Sequence, residues 1–279
     1  MLCTHGNLAN SAGFAMSFLK KLTWREIMQT NLDDTRFNVI AASYEYAIAK
    51  YPDARNDGEW LINNINVQDR DVILEISAGT GFLTQKIAKQ NTGGVLYAQD
   101  IAPKTLEINS KKCGSFEHIN YITDLNTIKD ESCDKAVSLG GWHHMEDQIS
   151  ITKSALSKLK KGGVFCVGDF SDDSSIQRYF DEIVDNITVT GHQGLFASKS
   201  RMVNIGRFAQ AAKTDVEVFD VPFNFDSKND IAEFFQKVFA LDLPLEETYE
   251  GVERYFDIKQ ADNGKLAVMV PYIYAKFTK

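Results

Sequence analysis

The chain has 279 residues, of which 44% are hydrophobic and 24% charged, with a net charge of −8. That supports a substantial core and gives no basic face for a polyanion, so nucleic acid is not an expected partner. No apolar run reaches the roughly 18 residues that span a bilayer, and no basic segment leads into an apolar one near the N-terminus, so membrane and secretory readings fall away.

Residues 1–15 have weak periodicity, and amphipathic patterning begins near Met16. Phe18–Met28 reads as a helix. Asp33 or Asp34 would cap another, carrying Phe37, Ile40, Ala41 and Tyr44 on one face. Trp60–Ile65 ends a short helix. Alternation then sets in, with strands at Val72–Ile76, Val95–Gln99, Ile119–Ile122, Ala136–Leu139 and Val164–Phe170. Helices are expected between them at Leu83–Lys89, Thr105–Lys112 and Gln148–Leu159. Such alternation requires crossovers and a mostly parallel sheet. Beyond Phe170, helices are expected at Gln177–Ile187, Met202–Ala212, Asp230–Phe239 and Leu245–Phe256, with strands at Val216–Val221 and Leu266–Phe277.

Cys3, Cys113, Cys133 and Cys166 show no CxxC spacing. Free thiols and a cytoplasmic location are the expectation, and structural zinc is not. The short Asp-Ser run at 172–175 reads as a turn or helix cap rather than a linker.

The chemistry concentrates in "LEISAGTGFLT", where Gly79 and Gly81 occupy a strand-to-helix turn. Glycine there lets backbone approach a ligand, and the following helix directs free N–H groups at it. The third position of a dinucleotide fingerprint is Thr84 rather than glycine, and no Lys-Ser/Thr follows as in a P-loop. Glu75, at the strand's end, would repel a pyrophosphate and suit a cation or amine. A nicotinamide oxidoreductase is therefore disfavoured.

With Glu75, Gly79 and Gly81 in "EISAGTG", the sequence resembles the class I S-adenosylmethionine-dependent methyltransferases. "LYAQD" places Asp100 where that family binds the ribose hydroxyls, and "YITDL" offers Asp124 and Leu125 near the adenine. "SLGGWHHMED" is similar to the family's "LHHVED", and "LKKGG" to its "LKPGG" turn. "RFNVIAASYEYA" resembles the lead helix of the ubiquinone/menaquinone-type branch, which lies over the cofactor. The similarity covers roughly residues 36–170.

The resemblance implies an α/β, doubly wound, seven-stranded and mostly parallel sheet with an antiparallel last strand. It implies N-terminal helices over residues 1–60, a cofactor-binding core over 61–170 and substrate-side elements over 171–279. The sequence departs from the family's simplest form in a helical lid expected at about 228–260, between the last two strands. S-adenosylmethionine would be bound, and S-adenosylhomocysteine released. The residues implied are Glu75, Ser77, Ala78, Gly79, Gly81, Asp100, Ile101, Asp124, Leu125, Leu139 and Gly140. His143, His144, His192 and Tyr44 are the candidates for a base or a contact near the sulfonium. Trp142 is expected to pack against the adenine or the next helix. No metal site is expected, since Asp169, Asp172 and Asp173 only weakly imitate the magnesium-dependent catechol type.

The expected acceptor is a small apolar or aromatic molecule, because Phe223, Phe225, Phe234, Phe235, Phe239, Tyr249, Tyr255 and Phe256 crowd the lid. The same aromatic surface would serve a homodimer. Methyl transfer needs alignment above all, and a base only for a protonated nucleophile. A non-methylating rearrangement promoted by the sulfonium, and a binding module with a vestigial pocket, are the alternatives.

Overall fold

Five apolar runs in the first two-thirds of the chain become the parallel strands that position every candidate residue. The structure is a computed structural model, and it describes residues 36–172, 174–189, 192, 194–261 and 263–279. The expected helix at Phe18–Met28 and the caps Asp33 and Asp34 lie outside the described residues, as does Asp173. Helix α1 (Arg36–Lys50) and helix α2 (Asp57–Ile65) lead into β1 (Val72–Ile76). Then follow α3 (Phe82–Gln90), β2 (Val95–Gln99), α4 (Pro103–Lys112), β3 (Ile119–Ile122), β4 (Cys133–Leu139), α5 (Gln148–Lys158) and β5 (Leu159–Phe170).

The strand order is β3-β2-β1-β4-β5-β8-β6, where β6 is Lys213–Phe225 and β8 is Leu266–Thr278. Strands β1 to β5 pair in parallel. Strand β8 runs antiparallel to both β5 and β6. The α/β sheet with an antiparallel last strand is therefore as expected. One strand more is present: β7 (Ile258–Gln260) pairs with the first residues of β8. It lies beside Leu266–Val268, whereas β5 takes Tyr272–Thr278 of the same strand. Three residues are too few to carry an alternating pattern.

Chain direction across the sheet reverses between β1 and β4, and a crevice opens there at the carboxyl ends of the strands. The strands are buried on both faces: Ile73 and Val137 join one apolar cluster, Leu74 and Ala136 the other. After β5 the chain forms α6 (Ser175–Tyr179), which passes into a π-helical turn at Phe180–Val184 and a last turn at Asp185–Ile187. The sequence pattern read this stretch as one uniform helix. The π turn adds a residue to the coil, and Phe180 and Val184, four apart, both face the crevice.

Helix α7 (Lys199–Phe208) precedes β6, and α8 (Lys228–Val238) and α9 (Leu245–Tyr255) lie between β6 and β7. Helix α8 docks on α1. Ser43 Oγ donates to the Lys237 carbonyl at 2.8 Å, Tyr46 donates to Glu233 at 2.7 Å, and Lys50 pairs with Glu233 at 2.7 Å. The hydrogen bond from Lys50, aided by those from Tyr46 and Tyr51, holds the Glu233 carboxyl down to about 2. Phe225, Phe234, Phe235 and Phe256 form the apolar centre of this region. Among the described residues no helix is long and apolar enough to cross a membrane.

Candidate functional site

The turn after β1 shapes the crevice floor. Ser77, Gly79 and Gly81 all adopt positive φ, at 58°, 52° and 92°. The Ala78 amide donates to the Gln99 carbonyl at 2.8 Å, which ties the loop to the end of β2. Asp100, the next residue, accepts from Gly79 N at 2.8 Å through one carboxylate oxygen and from Ala102 N at 2.9 Å through the other. Loop and acid thus hold each other in place.

The two glycines differ. A Cβ on Gly81 would lie 2.5 Å from Asn109 Oδ1, and Asn109 cannot swing away because its Nδ2 holds Thr84 Oγ1 at 2.9 Å in the core. A Cβ on Gly79 would meet nothing within 4 Å. We expect Gly81→Ala to lower the urea midpoint by the equivalent of about 2–3 kcal/mol. Gly79→Ala should cost about 1 kcal/mol, for its φ alone, yet weaken ligand binding as strongly, because its open side faces the cavity. Equal destabilisation by the two would contradict this reading.

Glu75 is 2% exposed, and its Oε2 has no hydrogen-bond partner among the described residues. Burial pushes its carboxyl up to about 8; hydrogen bonds from Thr84 oppose this, and the nearby Asp100 adds to it. Burial raises Asp100 as well, against the pull of its backbone donors. Two acids are thus stacked at adjacent strand ends with, among the described residues, no Lys or Arg paired to either. Such an arrangement awaits a cation, an amine or hydroxyl donors.

These residues line a cavity of 450 Å³, within the range of small-molecule sites. Its lining includes Tyr44 from α1, Glu75, Ser77, Ala78 and Gly79 from the first loop, and Asp100 and Ile101 from the second. Leu139 and Gly140 come from the end of β4, and His143, His144 and His192 from farther on. Phe223, Phe234, Phe235 and Phe239 also face it, whereas Phe225 and Phe256 fill the core of the helical insertion. Gly81 shapes the floor without lining it.

Asp124 and Leu125 are not brought into this cavity. Asp124 accepts from Asn126 N at 2.9 Å, caps the turn Leu125–Thr127, and lines a second cavity with Leu125 and Lys158. The two cavities share Gln99. Trp142 is fully buried in the apolar cluster with Leu156 and Phe165 rather than in the crevice.

His143 is buried, and its Nδ1 lies 2.7 Å from Asp169 Oδ1. Asp169 Oδ2 accepts from the His143 amide at 2.9 Å, and Oδ1 also accepts from Phe170 N at 2.8 Å. Asp169 is thereby committed to orienting His143. His144 packs edge-on to Phe37 at 4.9 Å, and the Tyr44 hydroxyl accepts a hydrogen bond from Arg55. Burial raises the Tyr44 pKa further, despite the neighbouring guanidinium, so its hydroxyl stays protonated at neutral pH.

A network around Arg55 was not singled out from sequence. Arg55 donates through Nε to Asp57 Oδ1 at 3.0 Å and through Nη2 to Asp57 Oδ2. Tyr272 on β8 donates to Asp57 Oδ2 at 2.9 Å, and Tyr274 to the Asp57 carbonyl at 2.8 Å. Arg55 stacks on Phe82, and among the described lining residues it is the lone Lys or Arg. The stretch "PDARNDGEW" reads as a polar turn, and Tyr272 and Tyr274, which bury Asp57, lie more than 200 residues away.

Residues 74–167, from β1 to β5, match the family model described as a methyltransferase domain. An uncharacterized methyltransferase-like protein of Schizosaccharomyces pombe is 26% identical over 136 residues, 49% of this chain and 52% of that protein. The chain thus spans about half the length of that curated relative. Among solved structures, the YcgJ protein of Bacillus subtilis superposes with a TM-score of 0.60 at 15% identity, over 80% of this chain and 97% of that one. Phosphoethanolamine N-methyltransferase 2 of Haemonchus contortus, solved with S-adenosyl-L-methionine, gives 0.60 at 14% identity, over 89% and 59%. The stretch from β1 to β5 is thus similar to a methyltransferase domain, and the solved structures share its fold.

Proposed function

We propose that the chain transfers a methyl group from S-adenosylmethionine to an O, C or N atom of a small apolar or aromatic molecule. The observation that carries this is the pair Glu75 and Asp100, two buried acids at the ends of β1 and β2 with an unpartnered carboxylate oxygen between loop and cavity. The residues present fit that cofactor: acids for hydroxyl and ammonium donors, open space at Gly79, and an arginine for a carboxylate. When bound, it would supply an activated methyl on a sulfonium.

The rest is the work of this chain. Asp100 would hold hydroxyl donors with the lone pairs its two backbone bonds leave free. Glu75 would fix an ammonium or hydroxyl beneath the loop, and Arg55, steadied by Asp57, would take an anionic end. Phe37, Ile40, Ala41 and Tyr44 on α1 line the cavity, which supports the likeness of this helix to the covering helix of the ubiquinone/menaquinone-type branch. Phe170, Phe180, Phe234, Phe235 and Phe239 would exclude water and hold the acceptor by apolar contact. His143, held as the Nδ1–H tautomer by Asp169, leaves Nε2 as an acceptor for a proton.

Calorimetric titration with S-adenosylmethionine and S-adenosylhomocysteine tests the reading. Micromolar binding is expected, weakened roughly 100-fold in Asp100→Ala through loss of charge-assisted hydrogen bonds. Absence of binding to folded protein would remove the cofactor and the function with it.

A further inference from the structure

The geometry points to a site for one divalent transition metal, held by His143, His144 and His192 on the wall of the same cavity. One ligand nitrogen from each lies within 4.8 Å of those of the other two. The ring centroids of His192 stand 5.6 Å from His143 and 5.2 Å from His144, although His192 comes from a separate segment after β5.

Two carboxylates stand behind the histidines. Asp169 Oδ1 is 2.7 Å from His143 Nδ1, and Asp185 Oδ1 is 3.0 Å from His192 Nδ1. Each carboxylate fixes a tautomer and leaves Nε2 as the ligand atom. Carboxylate-backed imidazole is the outer arrangement of histidine metal centres, where it raises ligand basicity and sets ring orientation. The segment carrying His192 is anchored to the other two: Leu195 N donates to the His143 carbonyl at 2.7 Å. Gly194 sits so close that a Cβ there would lie 2.6 Å from His143 Cδ2 and 2.8 Å from His192 Cε1. Close backbone approach between two rings brings the nitrogens together.

Three imidazoles without an oxygen ligand select zinc, iron, cobalt, nickel or copper over magnesium and calcium. Bonds of about 2.0–2.1 Å place nitrogens roughly 3.3 Å apart in a tetrahedron. Contraction from 4.8 Å is a matter of small rotations by His144 and His192, which are only partly buried. Three protein ligands leave a fourth position, and the cavity is what it faces. Phe170, Phe180 and Phe196 surround the cluster and would keep that position dry.

The inference rests on the methyltransferase reading only for its consequence. With its Nε2 on the metal, His143 would no longer accept a proton; instead the fourth position would take an acceptor hydroxyl or thiol as the anion, its proton leaving to solvent, which makes the acceptor an ionisable O–H or S–H compound.

The full-length protein, stripped with chelator, is titrated with Zn²⁺ by calorimetry and with Co²⁺ by visible absorption. One equivalent should bind, with the intense d–d bands of tetrahedral cobalt. His143→Ala and His192→Ala should each abolish those bands. Asp185→Asn, at a half-exposed position where folding is safe, should weaken Zn²⁺ binding 10- to 100-fold. S-adenosylhomocysteine is titrated into the same samples. Binding of S-adenosylhomocysteine by protein that takes up no stoichiometric Zn²⁺ or Co²⁺ overturns the metal site alone. Metal binding without it keeps the site and removes the acceptor argument. Equal metal affinity in wild type, His192→Ala and Asp185→Asn overturns the proposal.

Discussion

Glu75→Gln should make the ligand-free protein more stable while abolishing S-adenosylmethionine binding, and the gain should grow with pH. In the folded chain the Glu75 carboxyl is pushed from 4.5 to about 8, chiefly by burial. Between those values the folded state binds a proton that the unfolded state has released. Stability conferred through this group is therefore complete below pH 4.5 and declines as pH rises towards 8. A displacement of that size corresponds to on the order of 4 kcal/mol once the group is ionised in both states. Gln mimics the protonated acid in shape and cannot ionise. Its melting temperature should match wild type near pH 5 and exceed it by roughly 5–15 °C at pH 9. A cationic or ammonium-bearing ligand favours the ionised acid, so binding near pH 7 should release a proton. Calorimetry in buffers of differing ionisation enthalpy reads that release directly. Parallel melting curves for the two proteins across this range would refute the argument, because they would mean that Glu75 already ionises in the folded state. A site that destabilises its own fold until filled is the expected signature of function rather than architecture.

Much of the sheet was legible because its strands are buried on both faces and so appear as uninterrupted apolar runs, such as "VILEI" and "AVSL". The acids and glycines at their ends stood out for the same reason: they break the pattern where a fully apolar strand has no cause to. Strand β6 was only half visible. The expected Val216–Val221 falls short at both ends: Lys213–Asp215 are polar at the sheet's edge and Pro222–Phe225 include a proline, and pairing with β8 along the whole length made the strand. The turn "LKKGG" was read as lying before a strand, yet Leu159 already pairs with Cys133 across an irregularity in the ladder. The site was legible where it depends on local chain geometry and silent where it depends on long-range pairing. His192 reads as a lone loop histidine, and only the fold sets it beside His143 and His144. Arg55 and Asp57 read as turn residues because nothing local shows that Tyr272 and Tyr274 will bury them.

That buried pair carries the second large effect: Arg55→Ala should destabilise the protein by about 3–5 kcal/mol, beyond what its lost contacts alone would give. Burial opposes the charge on Arg55, yet Asp57 and Tyr44 outweigh it and hold its pKa above the ordinary value. Asp57 is 0% exposed, so the arginine's removal leaves a buried carboxylate with the Tyr272 hydroxyl as donor and, among the described residues, no cation. The cost is the uncompensated charge, and it should fall when the charge is removed. Asp57→Asn on top of Arg55→Met should therefore recover about 1–3 kcal/mol relative to Arg55→Met alone, a coupling that a double-mutant cycle by urea unfolding measures. Additivity of the two substitutions would show that the pair is dispensable. The pair also holds α2 to β8, since Asp57 begins the helix and the tyrosines sit on the strand that closes the sheet. Loosening it should relax the cavity wall formed by Arg55, Tyr44 and Tyr272. The recovered double variant should accordingly fold well and still bind S-adenosylhomocysteine at least tenfold more weakly than wild type, which would separate the stability of this network from its use.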